Sequence, residues 1–74
     1  SMSIKTKKFC PGDYVQIIDG VFDSQMPDDG RRDGLVVELT GKRRGQAIVM
    51  FHNGNFLKFH RSQLILIEKL RNNR

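Results

Sequence analysis

Four groups of residues in this 74-residue chain have the types and spacing to do chemistry. Cys10 is the single thiol, and with Lys7 and Lys8 close by it is a conceivable nucleophile. No base is recognisably paired with it, so a small packed or incidental cysteine is the expectation. His52 and His60 are the only histidines, and across a hairpin they could approach each other. With Cys10 they make a nominal metal set, yet no closely spaced ligand pair exists, and no metal site is expected. Asp19, Asp23, Asp28, Asp29 and Asp33 fall within one fifteen-residue stretch, but their order fits no calcium loop. Nor is there a glycine-rich phosphate cradle. The chain reads as non-catalytic and without a cofactor.

The fourth group is basic. Lys42-Arg43-Arg44 is one run, and Lys58, His60 and Arg61 form a second cluster, with Phe56 as an aromatic beside it. Basic groups hold a phosphate backbone and aromatics stack bases. The plainer alternative is a solubilising loop tip. The five aspartates would repel nucleic acid if they lay on the same side.

Strands must position these groups. The stretch from Gly34 to Ile67 has three apolar runs separated by two turn signals, the pattern of a β-meander. The expected strands are Tyr14–Ile18, Leu35–Leu39, Gln46–Phe51, Asn55–His60 and Leu64–Ile67. Pro11-Gly12-Asp13 is a turn into the first. Val15 and Ile17 are expected to face inward there, with Tyr14 and Ile18 as the alternative. Val36, Val49, Phe51, Leu57, Phe59 and Leu64 are the remaining expected core. Asn53-Gly54 suits a tight hairpin with positive φ at both central positions. Gly34 suits a bend or a close backbone approach. Ser62-Gln63 reads as one helical turn.

Asp19 to Asp33 is a long loop, and such loops are often functional. Val21, Phe22 and Met26 either anchor it onto the sheet or meet a partner. Asp28-Asp29 and Arg31-Arg32 would pair locally on the surface, for little energy. The third strand is apolar on both faces and the last carries four apolar residues in a row, which a strand covered on one side should not. Ile48, Met50 and Phe56 on the sheet, with Ile65 and Ile67, are therefore candidates for a protein contact or self-association.

Length gives one domain, expected over residues 10–68, after a flexible basic arm (1–9) and before a polar tail (69–74). Thirteen Lys and Arg against eight Asp and Glu give a net charge of +5, which attracts nucleic acid, acidic partners and anionic surfaces. No apolar run approaches a membrane span, the N-terminus has no signal-peptide core, and one cysteine allows no internal disulfide framework. A cytoplasmic setting is expected.

The element order resembles the Src-homology-3-like barrels, particularly the KOW and Tudor-like branch. The resemblance rests on Pro11-Gly12-Asp13-Tyr14-Val15, Asp33-Gly34-Leu35-Val36-Val37, Ala47-Ile48-Val49-Met50-Phe51 before Asn53-Gly54, and Ser62-Gln63-Leu64. It implies an all-β, five-stranded small barrel with a long first loop and a short helical turn before the last strand. The chain is also similar to small barrels encoded by tailed bacteriophages, including cyanophages, which implies the cytoplasm of an infected bacterium. A weaker similarity, at Phe56 to Arg61, is to the variable chain of ferredoxin–thioredoxin reductase. The chain departs from the peptide-binding Src-homology domains: it has no Trp, and its long loop lacks their aromatic cluster.

The expectation is a non-catalytic binding module, first a virus-encoded or accessory protein–protein adaptor, possible self-association included. Its contacts would be Val21, Phe22, Met26, Ile48, Met50 and Phe56. The alternative is a KOW-like nucleic-acid binder using Lys42, Arg43, Arg44, Phe56, Lys58 and Arg61. A small subunit of a redox complex ranks third. No membrane partner is expected.

Overall fold

The computed structural model describes residues 8–69. Residues 1–7 of the expected arm (1–9) and 70–74 of the expected tail (69–74) lie outside them. The architecture is all-β: β1 (Asp13–Ile17), β2 (Asp33–Thr40), β3 (Gln46–Met50), β4 (Phe56–His60) and β5 (Leu64–Lys69). They form one antiparallel sheet in the order β4-β3-β2-β1-β5. A short 3₁₀ turn, Arg61–Gln63, precedes β5, and the long first loop joins β1 to β2. Among the described residues no helix is long and apolar enough to cross a membrane.

The sheet curls around one core to which every strand contributes. Val15 and Ile17 come from β1, Val36 from β2, Ala47 and Val49 from β3, Phe59 from β4 and Leu64 from β5. Side chains two apart on a strand share a face, so these inward positions follow from alternation. Phe51 and Phe59 pack edge to face, with ring centroids 6.1 Å apart. Leu57 is half-buried against the same core. Gly34 is where β2 crosses β3 closely: a Cβ there would lie 2.6 Å from Val49 Cγ1 and 2.7 Å from the Met50 carbonyl oxygen.

The core also extends beyond the expected domain limits. Phe9, placed by sequence in a flexible arm, is buried among the core residues. Its neighbouring lysines mask an apolar anchor that the barrel end covers. At the other end β5 runs to Lys69. Two register shifts bend the sheet, one skipping Val37 in β2 and one skipping Ile67 in β5. A bulge leaves one residue unpaired and increases local twist.

The β3–β4 turn differs from expectation. Only Gly54 has positive φ (90°), and its N–H donates to the Phe51 carbonyl while Phe51 N–H donates to the Asn55 carbonyl. This is a type I turn followed by a left-handed glycine, the longer hairpin solution, in which Asn53 needs no positive φ.

The long loop is held, not free. Met26 is buried in the core, which corrects its candidacy as a partner contact, and Val21 packs half-buried beside it. Arg32 does not pair with Asp28 or Asp29. Its guanidinium donates to three backbone carbonyls, Ile17 (3.2 Å), Ile18 (2.6 Å) and Val21 (2.5 Å). Arg31 pairs instead with Asp33, whose carboxylate also accepts from the Tyr14 hydroxyl.

Candidate functional site

The loop from Gly41 to Gly45, between β2 and β3, builds the basic end of the molecule. Gly45 N–H donates to the Lys42 carbonyl at 3.0 Å, closing a turn whose central residues are Arg43 (φ 56°) and Arg44 (φ 55°). Positive φ at both central positions is the type I′ pattern, for which Asn-Gly is the favoured pair. Two adjacent arginines there carry backbone strain that neither side chain relieves locally, and such strain clusters at binding sites.

The Arg61–Gln63 turn is docked onto this loop, since Arg61 N–H donates to the Gly45 carbonyl at 2.8 Å. His60 caps it. Its Nδ1 accepts from Ser62 N–H at 3.1 Å, and the Gln63 side-chain oxygen accepts from His60 N–H at 2.9 Å, a reciprocal capping box. His60 is thereby a positioning group for Arg61. His52 sits at the other end of the β3–β4 hairpin, so the two histidines do not approach each other as the sequence allowed. Among the described residues no three His, Cys, Asp or Glu gather as metal ligands.

Arg43, Arg44 and Arg61 share a pocket of about 290 Å³ with Lys8. Phe9, Leu39 and Ala47 form its apolar surface, and Gln46 and Cys10 complete the lining. Among the described residues no carboxylate lines it. Among the described residues none of the four cations makes an ion pair, the pairs there being Arg31–Asp33, His52–Asp29 and Lys69–Asp13.

The Gln25–Asp29 part of the acidic loop is fixed at the opposite end of the β3–β4 hairpin. The side-chain amides of Asn53 and Asn55 donate to the Gln25 carbonyl at 3.1 and 2.8 Å, and His52 Nε2 lies 3.1 Å from Asp29. The backbone N–H of Arg31 holds the Asp29 carboxyl below its ordinary pKa, with smaller help from His52. The five residues of β4 span about 14 Å, at about 3.4 Å per residue, between this part of the loop and the basic end, whereas the start of the loop lies nearer, since Ile18 N–H donates to the Gln63 carbonyl of the Arg61–Gln63 turn at 3.0 Å.

Of the six residues expected to contact nucleic acid, Arg43, Arg44 and Arg61 converge on the pocket. Lys42 is exposed at the same loop but does not line it. Phe56 and Lys58 lie exposed on the outer face of β4, opposite Met50 and Ile48 of β3. That outer face joins the pocket end through His60. Of the residues expected to contact protein, Phe22 stands out at 78 % exposed, Ile48 and Met50 are half-buried, and Phe56 is exposed. The sequence reading missed Lys8, Phe9 and Gln46, which come from outside the basic runs. It also missed Leu66, 41 % exposed between Ile65 (46 %) and Ile67 (47 %).

No family model, no curated protein and no solved structure matches the chain.

Proposed function

We propose that this chain is a non-catalytic module that binds the phosphate backbone of nucleic acid with the basic end of its barrel. The observation that carries the reading is the convergence of Lys8, Arg43, Arg44 and Arg61 on one pocket with no carboxylate among the described residues of its lining. Cations without an ion-pair partner among the described residues are available to an external anion. Asp28 and Asp29 lie at the far end of the β3–β4 hairpin, and about 14 Å of strand exceeds the roughly 8 Å Debye length of physiological salt, so these two aspartates repel a bound backbone only weakly. Lys58 and Phe56 extend the surface along β4, the cation toward phosphates and the ring toward bases. The strand order and the turn before β5 are consistent with a KOW-like barrel, and that kinship is part of the proposal.

The test is binding of short RNA and DNA oligonucleotides at two salt concentrations. Affinity should fall steeply with salt and depend little on sequence, because the contacts go to phosphate. The Arg43→Glu/Arg44→Glu variant should lose binding. Absence of binding at low salt would end the reading.

A second reading rests on a separate observation. Ile65, Leu66 and Ile67 are all exposed on β5, which is an edge strand of the sheet. A hydrophobic edge strand is a template for pairing with another chain. This supports a protein contact, with a second copy of the chain as the partner to test.

A further inference from the structure

We infer that the pocket between Lys8 and the Arg43-Arg44 turn is an end-recognition site, which takes the terminal phosphomonoester and last nucleotide of a single-stranded nucleic acid. The inference rests on the nucleic-acid reading above and narrows it to a chemical group. An internal phosphodiester carries one negative charge and is met by one or two cations. Four cations facing one pocket of about 290 Å³ exceed that demand. A terminal phosphomonoester carries about −1.5 to −2 charges at neutral pH and presents three acceptor oxygens. Arginines hold such a group through paired, charge-assisted hydrogen bonds.

The rest of the lining fits the nucleotide that bears this phosphate. The volume is at the small end of ligand pockets, about 300–1,000 Å³, so it holds one nucleotide and not several. Phe9, Leu39 and Ala47 offer an apolar surface, and Gln46 a neutral hydrogen-bonding side chain. A terminal nucleotide can enter only if it is unpaired, which selects single strands. The next nucleotides would then leave across His60 toward Lys58 and Phe56, which share the outer face of β4. The strained turn is explained by the same demand. Two consecutive left-handed residues direct two guanidinium groups from adjacent positions to one pocket, which an extended strand, with its alternating sides, could not do.

Cys10 lines this pocket and is the only cysteine of the chain, so the unmodified protein carries its own reporter. The experiment has two arms. In the first, fluorescence polarisation measures binding of one single-stranded tetranucleotide bearing a 5′-phosphate, a 3′-phosphate or only hydroxyl ends. One of the phosphorylated forms should bind about tenfold tighter than the hydroxyl form, the gain of one charge-assisted contact. In the second, the rate of Cys10 alkylation by N-ethylmaleimide is measured with and without the same oligonucleotides and adenosine monophosphate. The phosphorylated ligands should slow it and adenosine should not. The Arg43→Asn/Arg44→Gly variant, which keeps the turn, should lose both effects.

Equal affinity for all three oligonucleotides, with no shielding of Cys10, overturns end recognition and leaves backbone binding in place. Failure of every oligonucleotide to bind at low salt, with Cys10 still shielded by adenosine monophosphate, overturns both the backbone reading and end recognition of a nucleic acid and leaves a site for free mononucleotides. Failure in both arms overturns both.

Discussion

The ammonium of Lys69 lies 2.9 Å from Oδ2 of Asp13, a carboxylate with no solvent exposure. The same oxygen accepts from Cys10 N–H at 2.9 Å, and Asp13 N–H donates to the Cys10 carbonyl at 3.0 Å. One buried side chain thus closes the Pro11-Gly12 turn and ties the end of β5 to the start of β1. Among the described residues its Oδ1 has no hydrogen-bond partner, so the lysine is its main compensation.

Replacing Lys69 with Met should therefore destabilise the fold by about 1.5–3 kcal/mol, the range for a lost charged hydrogen bond. The lysine is 39 % exposed, which keeps the effect below that of a fully buried pair. Adding Asp13→Asn to Lys69→Met should recover part of the loss, since a neutral amide still accepts from Cys10 without leaving a buried charge. Urea denaturation of the two variants checks this. A double variant less stable than Lys69→Met alone would show that the carboxylate acts through more than its ion pair.

The Arg43-Arg44 turn makes an opposite kind of prediction, a gain. A left-handed non-glycine residue costs roughly 1–2 kcal/mol. Arg43→Asn/Arg44→Gly places in the type I′ turn the residues it favours, so the variant should be about 1 kcal/mol more stable after the added chain entropy of glycine is subtracted. It should also lose nucleic-acid binding. Greater thermal stability with weaker binding is the expected pair of results. Lower stability would mean that the arginine side chains themselves hold the loop.

Much of the fold was legible because alternation carries it. Val15, Ile17, Val36, Val49, Phe51, Phe59 and Leu64 are inward as their spacing demands. The turns were less legible. Asn53-Gly54 is a strong signal for positive φ at two residues, yet a longer turn with Gly54 alone left-handed satisfies the hairpin, and the double positive φ falls on two arginines that give no such signal. The site was half legible. Arg43, Arg44 and Arg61 are basic in sequence, but their convergence with Lys8 depends on Phe9 entering the core, and that is hidden in a run of lysines. Arg32 left no trace either, because bonds to backbone carbonyls carry no partner residue that a sequence could display.

Arg32 should be the residue that keeps the long loop in place. It is half-buried and bridges the end of β1 to Val21. Arg32→Ala leaves three carbonyls without that donor, and a loss of about 2–3 kcal/mol is expected, within the cost of unsatisfied partners of a charged group. Arg32→Lys should recover little, because a compact ammonium cannot reproduce the planar fork. Hydrogen exchange should show faster opening of the amides from Ile17 to Met26 in the alanine variant, with β3 and β4 unaffected. Uniform acceleration across the sheet would mean that Arg32 supports the whole barrel and not the loop.

The last prediction concerns the β5 edge. Ile65 pairs with Gln16 and Leu66 with Val15 on the inner side of the strand, and the skipped residue between Leu66 and Glu68 is Ile67. The register is regular from Leu64 to Leu66, so Ile65 faces outward and Leu66 shares the face of Val15 at the open edge, and the skipped Ile67 adds a third partly exposed aliphatic side chain. Beyond its pairing with β1, the stretch from Ile65 to Lys69 makes no backbone hydrogen bond to another described segment. Two such edges can pair antiparallel about a twofold axis, continuing the sheet across both copies and covering the aliphatics of each. Sedimentation should show a monomer–dimer equilibrium in the micromolar to millimolar range, and Ile67→Lys should remain monomeric at every concentration with little change in melting temperature. Met50→Lys, on the outer face of β3, should dimerise like the parent chain. A parent chain that stays monomeric throughout would remove self-pairing. A Met50→Lys variant that is monomeric while Ile67→Lys dimerises would move the contact from the β5 edge to the outer face of β3 and β4.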